Sequence, residues 1–267
     1  MKLLSHAIRT ARIAGFPAII ISAAITATAI TGGNAPAQAA ARIVPYPAAL
    51  VNHPYVKTFE PNELYGWRNP TNDPGNCAPN PSEVSNTGSA VVVRTTGANG
   101  DCTSIQSLHT YPVSVGYVYE AKVYFSAIPG TQQFADWNAF WMYGNNWPVD
   151  GETDAVETTF GTQFVSYHYG ANNSEVSTCN ASNRCDPSAG TITPKTANIK
   201  PGWHIVDIAY GDHRIQIFYD GHVYITIAGS FVNPKPAWIT FSAGSSSSMD
   251  QVNVPGEVEV QWLRVFK

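Results

Sequence analysis

Trp147-Pro-Val-Asp-Gly-Glu-Thr-Asp-Ala-Val-Glu157 decides how this chain folds. After Asp150 its acids recur at Glu152, Asp154 and Glu157, and its only later branched apolar residue is Val156. In a regular strand successive side chains alternate between faces, so Glu152, Asp154 and Val156 would share one face and Glu157 would go to the other. One extra residue, a β-bulge at Ala155-Val156, returns Glu157 to the face of Glu152 and Asp154 and lets Val156 turn inward. The stretch then reads as a strand of a two-layered β-protein, with one face on the core and three carboxylates in a row on the other.

The rest of the chain carries the same period. Runs rich in β-branched and aromatic residues lie at 90–94, 118–125, 139–143, 164–169, 204–210, 214–219, 224–227, 238–242 and 258–266, separated by Gly, Pro and Asn. Their spacing predicts an all-β sandwich. No apolar period of 3.6 persists beyond two turns, so almost no helix is expected. Tyr219-Asp-Gly-His-Val223 marks a hairpin, because Asp-Gly accepts the positive φ angles of a tight turn. Residues 178–193 read as a long surface loop, and no internal repeat or linker divides the chain.

The N-terminus is of a different kind. Lys2, Arg9 and Arg12 precede an apolar stretch from about Ile13 to Ile30, and no acid occurs before Glu60. A run of small residues follows, with a cleavage point after Ala39. Residues 1–39 therefore read as a signal peptide, with a membrane anchor as the alternative that Pro17 and the Thr- and Ala-rich composition disfavour. That leaves 228 residues (267 − 39), read as a single domain over 40–267, secreted and monomeric, with no membrane contact after cleavage. The leader takes three of the 15 Lys and Arg, so 12 face 19 acids and the net charge is −7. With no basic cluster to meet phosphates, a nucleic-acid partner is excluded. Cys77, Cys102, Cys179 and Cys185 follow no zinc spacing. In an oxidising compartment they read as disulfides; Cys77–Cys102 with Cys179–Cys185 is the economical arrangement among three possible pairings.

Around the acids, Trp141, Tyr143 and Trp147 precede and His168 and Tyr169 follow. An acidic triplet alone is as readily a solvated edge strand, and any single aromatic as readily core. Together they suggest a carbohydrate cleft, since sugar rings stack their C–H faces on aromatics. Two glutamates four effective strand positions apart, with Asp154 between them, suit a retaining glycosidase, in which one carboxylate attacks the anomeric carbon and the other donates a proton. Crowding among the three raises at least one pKa.

In order along the chain, Gly116-Tyr-Val-Tyr-Glu-Ala-Lys-Val-Tyr124, Ala139-Phe-Trp-Met-Tyr-Gly144, Gly151-Glu-Thr-Asp-Ala-Val-Glu157, Trp203-His-Ile-Val-Asp-Ile-Ala-Tyr210, Ile217-Phe-Tyr-Asp-Gly221 and Val260-Gln-Trp-Leu-Arg-Val-Phe266 resemble the strands of glycoside hydrolase family 16. The family contains laminarinases, lichenases and related β-glucanases and galactanases. The resemblance covers most of residues 86–267. It implies a concanavalin-like jelly roll with a concave cleft and a polysaccharide as partner, without a cofactor. It also implies Glu152 as nucleophile, Glu157 as general acid and base, and Asp154 as the residue tuning the nucleophile. Trp141 and Tyr143 fall where the family lines its sugar subsites, His168 where it contacts the sugar at the cleavage point, and Trp147 and Gln106 near the cleft. Thr153 replaces the family's usual aliphatic residue and should point into the sandwich, where its hydroxyl needs a partner. Gln261 stands where some members place an Asp for structural calcium, so no metal is expected there. The residues at 238–248 depart from the family's β-glucan pattern. Hydrolysis, transglycosylation with the same residues, and sugar binding without turnover remain three readings of the sequence.

Overall fold

The computed structural model describes residues 54–67, 80–159, 161–177, 191–192, 199–245 and 254–267, all within one unit spanning Ile43–Lys267. Period-2 patterning builds most of it. In β5 (Val118–Phe125), Tyr119, Ala121, Val123 and Phe125 are wholly buried, while Lys122 and Tyr124 between them are only partly so. In β6 (Trp137–Gly144), Phe140 and Met142 face the same core, and Trp137, Ala139, Trp141 and Tyr143 alternate with them on the opposite face. Each strand thus has one apolar side to hide, and two sheets stacked face to face hide both.

Among the described residues, nine strands form one sheet. They are β1 (Tyr55–Phe59), β2 (Val84–Asn86), β3 (Val91–Arg94), β5, β10 (Thr191–Ile192), β11 (Gly202–Gly211), β12 (Arg214–Tyr219), β13 (His222–Ala228) and β15 (Glu257–Phe266). Their order is β10-β13-β12-β11-β5-β15-β3-β2, with β1 also on β15. Six strands form the other, ordered β4-β14-β6-β7-β8-β9, where β4 is Cys102–Gln106, β7 Glu152–Thr159, β8 Thr162–Tyr169, β9 Ser174–Ser177 and β14 Ala237–Gly244. The pairings are antiparallel, and the order matches the expected jelly-roll sandwich. Among the described residues, helix is confined to α1 (Pro61–Tyr65), closed at its start by a capping box between Glu60 and Glu63, and a 3-10 turn at Pro81–Glu83. No helix among the described residues is long and apolar enough to cross a membrane.

One core lies between the sheets. Tyr119, Val123, Phe125, Ile208, Ile217 and Leu263 of the nine-stranded sheet meet Phe140, Met142, Val165, Tyr167, Ile239 and Phe241 of the six-stranded one. Asp220 (φ 49°) and Gly221 (φ 79°) form the expected two-residue turn between β12 and β13, both with the positive φ of a type I′ hairpin. The loop expected over residues 178–193 needs one correction, because Thr191 and Ile192 pair with Ala228 and Ile227 as β10. Residues 1–39, Cys77, Cys179 and Cys185 lie outside the described residues, while Cys102 is disulfide-bonded.

Candidate active site

The bulge exists, and it sits where the acidic spacing required it. Against β8, Asp154 faces Ser166 and Glu157 faces Phe164, so Ala155 and Val156 together oppose Val165. Against β6, Trp141 faces Asp154 and Phe140 faces Val156, so Ala155 is again the extra residue. Ala155 and Val156 are both buried in the core, while Glu152 and Glu157 are partly exposed on the outer face. Thr153 points inward, and its hydroxyl accepts from Tyr210 Oη at 3.2 Å.

Cross-strand register sorts the concave face into three rows. Trp238, Tyr143, Glu152, His168 and Glu175 form one. Gln106, Thr240, Trp141, Asp154 and Ser166 form the next. Ser104, Ser242, Ala139, Glu157 and Phe164 form the third. The three carboxylates thus occupy successive rows of the central strand.

Each carboxylate has its own donor. Trp147 Nε1 donates to Glu152 Oε2, Ser166 Oγ donates to Asp154 Oδ2 at 2.7 Å, and Trp137 Nε1 donates to Glu157 Oε1 at 3.0 Å. Glu152 and Asp154 share a hydrogen bond, and His168 Nε2 lies 3.6 Å from Asp154 Oδ2. Burial is the largest influence on all three and pushes each upward, since desolvation penalises the charged form. Asp154 rises to about 7 against the Ser166 and Glu152 hydrogen bonds that lower it. Glu157 rises to about 8, with the Asp154 charge adding to burial and His168 and Trp137 opposing. Glu152 is also held well above the ordinary carboxylate range by burial and the Asp154 charge. Glu152 and Asp154 share a proton through their hydrogen bond. One ligand atom each from Glu152, Asp154 and His168 lies within 4.8 Å of the others, so these are the residues that could hold a cation.

The other expected residues fall on this face, in uneven roles. Trp141 and Tyr143 are stacked on each other, with centroids 4.7 Å apart and planes at 22°, and are almost wholly covered. They form the floor of the cleft rather than an open platform. Gln106 is buried too, and its Nε2 donates to Tyr143 Oη at 2.5 Å, so it supports the floor. Trp147 is 37% exposed and bonded directly to Glu152. His168 also shares a hydrogen bond with Asn173 Oδ1 at 3.2 Å.

Sequence reasoning passed over four members of the site: Trp137, Ser166, Trp238 and Glu175. Alternation from Trp141 back along β6 would have found Trp137. Trp238 is partly exposed beside Tyr143, and its Nε1 donates to Asn145 Oδ1 at 2.9 Å. Ser166 and Glu175 are legible only once the register is known.

Neither a family model nor a curated protein matches this sequence. Solved structures do. A non-specific endo-β-1,3(4)-glucanase of family 16, crystallised with a β-glucan oligosaccharide, aligns with TM-score 0.57 and 15% identity over 81% of this chain and 95% of that one. The fold is that of the family 16 glucanases. The laminarinase catalytic domain of Thermotoga maritima aligns with TM-score 0.57 and 15% identity over 80% and 98% of the two chains. A structure from work on endo-acting O-glycanases, with which human gut microbiota initiate mucin breakdown, aligns with TM-score 0.56 and 17% identity over 79% and 95%.

Proposed function

We propose that this protein is a secreted endo-glycosidase that hydrolyses internal β-glycosidic bonds of a neutral polysaccharide, a β-1,3- or β-1,3-1,4-glucan or a β-galactan, with retention. The observation that carries this reading is the bulge at Ala155-Val156, which puts Glu152, Asp154 and Glu157 on one face of a concave sheet. Glu152 attacks the anomeric carbon while Glu157, which holds a proton up to about pH 8, protonates the departing glycosidic oxygen. A glycosyl-enzyme ester forms on Glu152. Glu157, now ionised, takes a proton from water, the hydroxide equivalent displaces Glu152, and both carboxylates return to their starting states. Asp154 tunes the nucleophile: their hydrogen bond raises Glu152 and lowers Asp154, so the shared proton rests on Glu152, and its transfer to Asp154 leaves Glu152 the carboxylate the attack needs.

The choice of a neutral substrate rests on charge. The described strands of the concave face present Glu152, Asp154, Glu157 and Glu175 and no Lys or Arg. An anionic glycan would meet uncompensated negative charge there. The similar solved structures named as β-glucanase and laminarinase agree with a neutral glucan. Export by residues 1–39, action as a monomer outside the cell, and disulfides Cys77–Cys102 and Cys179–Cys185 complete the proposal, and the bonded state of Cys102 supports it. The test is reducing-sugar release across laminarin, lichenan, agar, carrageenan and arabinogalactan, using wild type, Glu152→Ala and Glu157→Gln. Release from a neutral member by wild type alone is expected. Equal rates for wild type and Glu157→Gln contradict the catalytic assignment, and chromatography of the products separates hydrolysis from glycosyl transfer.

A further inference from the structure

The bulge that aligns the acids has its own support, and it comes from the opposite sheet. Ala155 pairs with neither β6 nor β8 in register, so its buried carbonyl lies where the ladder is interrupted. A buried carbonyl without a donor costs about 1–3 kcal/mol, enough to favour a slipped strand. A one-residue slip on this strand carries Glu157 to the core face. The donor is Tyr219, the last residue of β12, which crosses the sandwich and donates its hydroxyl to Ala155 O. Gln163 Nε2 in turn donates to Tyr219 Oη at 2.7 Å and so orients that hydroxyl. Tyr224 packs edge-on against the Tyr219 ring, with centroids 4.7 Å apart. Burial pushes the Tyr219 phenol well above its ordinary range, so it is a donor at every working pH. Tyr210, from β11, makes the matching contact at Thr153 on the other side of Asp154.

We propose that Tyr219 is a positioning residue for Glu157: its hydroxyl, bonded across the core to Ala155 O, locks the bulge and thereby the face and register of the acid and base. This rests on the reading of Glu157 given above. Tyr219 touches no substrate, so its removal should act on turnover rather than on binding.

The test compares Tyr219→Phe with Tyr224→Phe in the full chain. The second variant is the control, because the Tyr224 hydroxyl is buried in the same cluster and bonds nothing among the described residues. For Tyr219→Phe, kcat should fall about tenfold, the effect of one neutral hydrogen bond expressed in the barrier, with KM within twofold. Tyr224→Phe should keep kcat within twofold. Gln163→Leu should lower kcat in the same direction by about threefold, and it carries the test if Tyr219→Phe does not fold. A second readout needs no activity. Carboxyl-detected NMR of 13C-Glu-labelled protein follows the Glu157 titration, whose midpoint should move in Tyr219→Phe and stay in place in Tyr224→Phe. An unchanged Glu157 titration together with kcat and KM within twofold of wild type overturns the proposal. If Glu157→Gln keeps wild-type rates, the functional reading fails instead, and the NMR titration still decides whether Tyr219 positions Glu157.

Discussion

Replacing Trp137 with Phe isolates one hydrogen bond at Glu157, the proposed acid and base. The indole N–H donates to Glu157 Oε1 at 3.0 Å, and an indole can only donate, so it favours the ionised carboxylate and lowers the pKa that burial raises. A hydrogen bond to a charged group contributes about 1.5–3 kcal/mol, and part exposure of Glu157 puts this one at the lower end. About 1.4 kcal/mol corresponds to one pKa unit. The Phe variant keeps an aromatic ring at the start of β6 and loses only the donor. Glu157 should therefore move from about 8 to about 9, and the alkaline limb of kcat/KM against pH should move up by about one unit. At pH 6, where Glu157 is protonated in both proteins, rates should agree within about threefold. A limb that stays in place or moves down refutes both the role of the indole and the assignment of the limb to Glu157.

Further outcomes follow from other parts of the structure. Asp136 is held at about 6, chiefly by burial, against an ordinary 3.8. A raised carboxyl adds stability that is complete below its unfolded pKa and is lost as pH rises through about 6, so Asp136→Asn should be more stable than wild type at pH 8 by up to about 3 kcal/mol, with no gain at pH 3.5, in urea unfolding; a less stable variant at pH 8 refutes this. Asn suits the position, since Asp136 has φ 60°. Gly151 has φ +86°, and a Cβ there would lie 2.7 Å from Tyr167 Oη, so Gly151→Ala should lower Tm by about 5–10 °C; an unchanged melting curve contradicts it. Trp238→Ala removes an accessible aromatic of the cleft and should raise KM about tenfold with little change in kcat, whereas a fall in kcat alone would place Trp238 in a different role.

Much of the fold and the site is legible in the sequence because two periods disagree. Strict alternation would put Val156 beside the acids, and the misfit of that one aliphatic residue locates the bulge from spacing alone. The aromatic and β-branched strands, the Asp220-Gly221 turn and the inward hydroxyl of Thr153 are readable for similar local reasons. β4 is not, because Cys102-Thr-Ser-Ile-Gln106 has one aliphatic residue, Ile105, for the core, while its other face lies on a polar floor under Tyr143. Burial of Trp141 and Tyr143 is also hidden, since alternation gives the face of a side chain but not what stacks upon it. The Tyr219 contact joins residues 64 positions apart on different sheets, and no local pattern records such a pair.

The central claim is that one bulged strand presents Glu152 and Glu157 as a nucleophile and an acid that act from the same face. Proton NMR of the first sugar released from a β-linked polysaccharide, recorded before mutarotation, tests it most directly. Initial appearance of the β-anomer, followed by slow equilibration to α, is the expected result. Initial appearance of the α-anomer would mean a single displacement by water and would contradict the account.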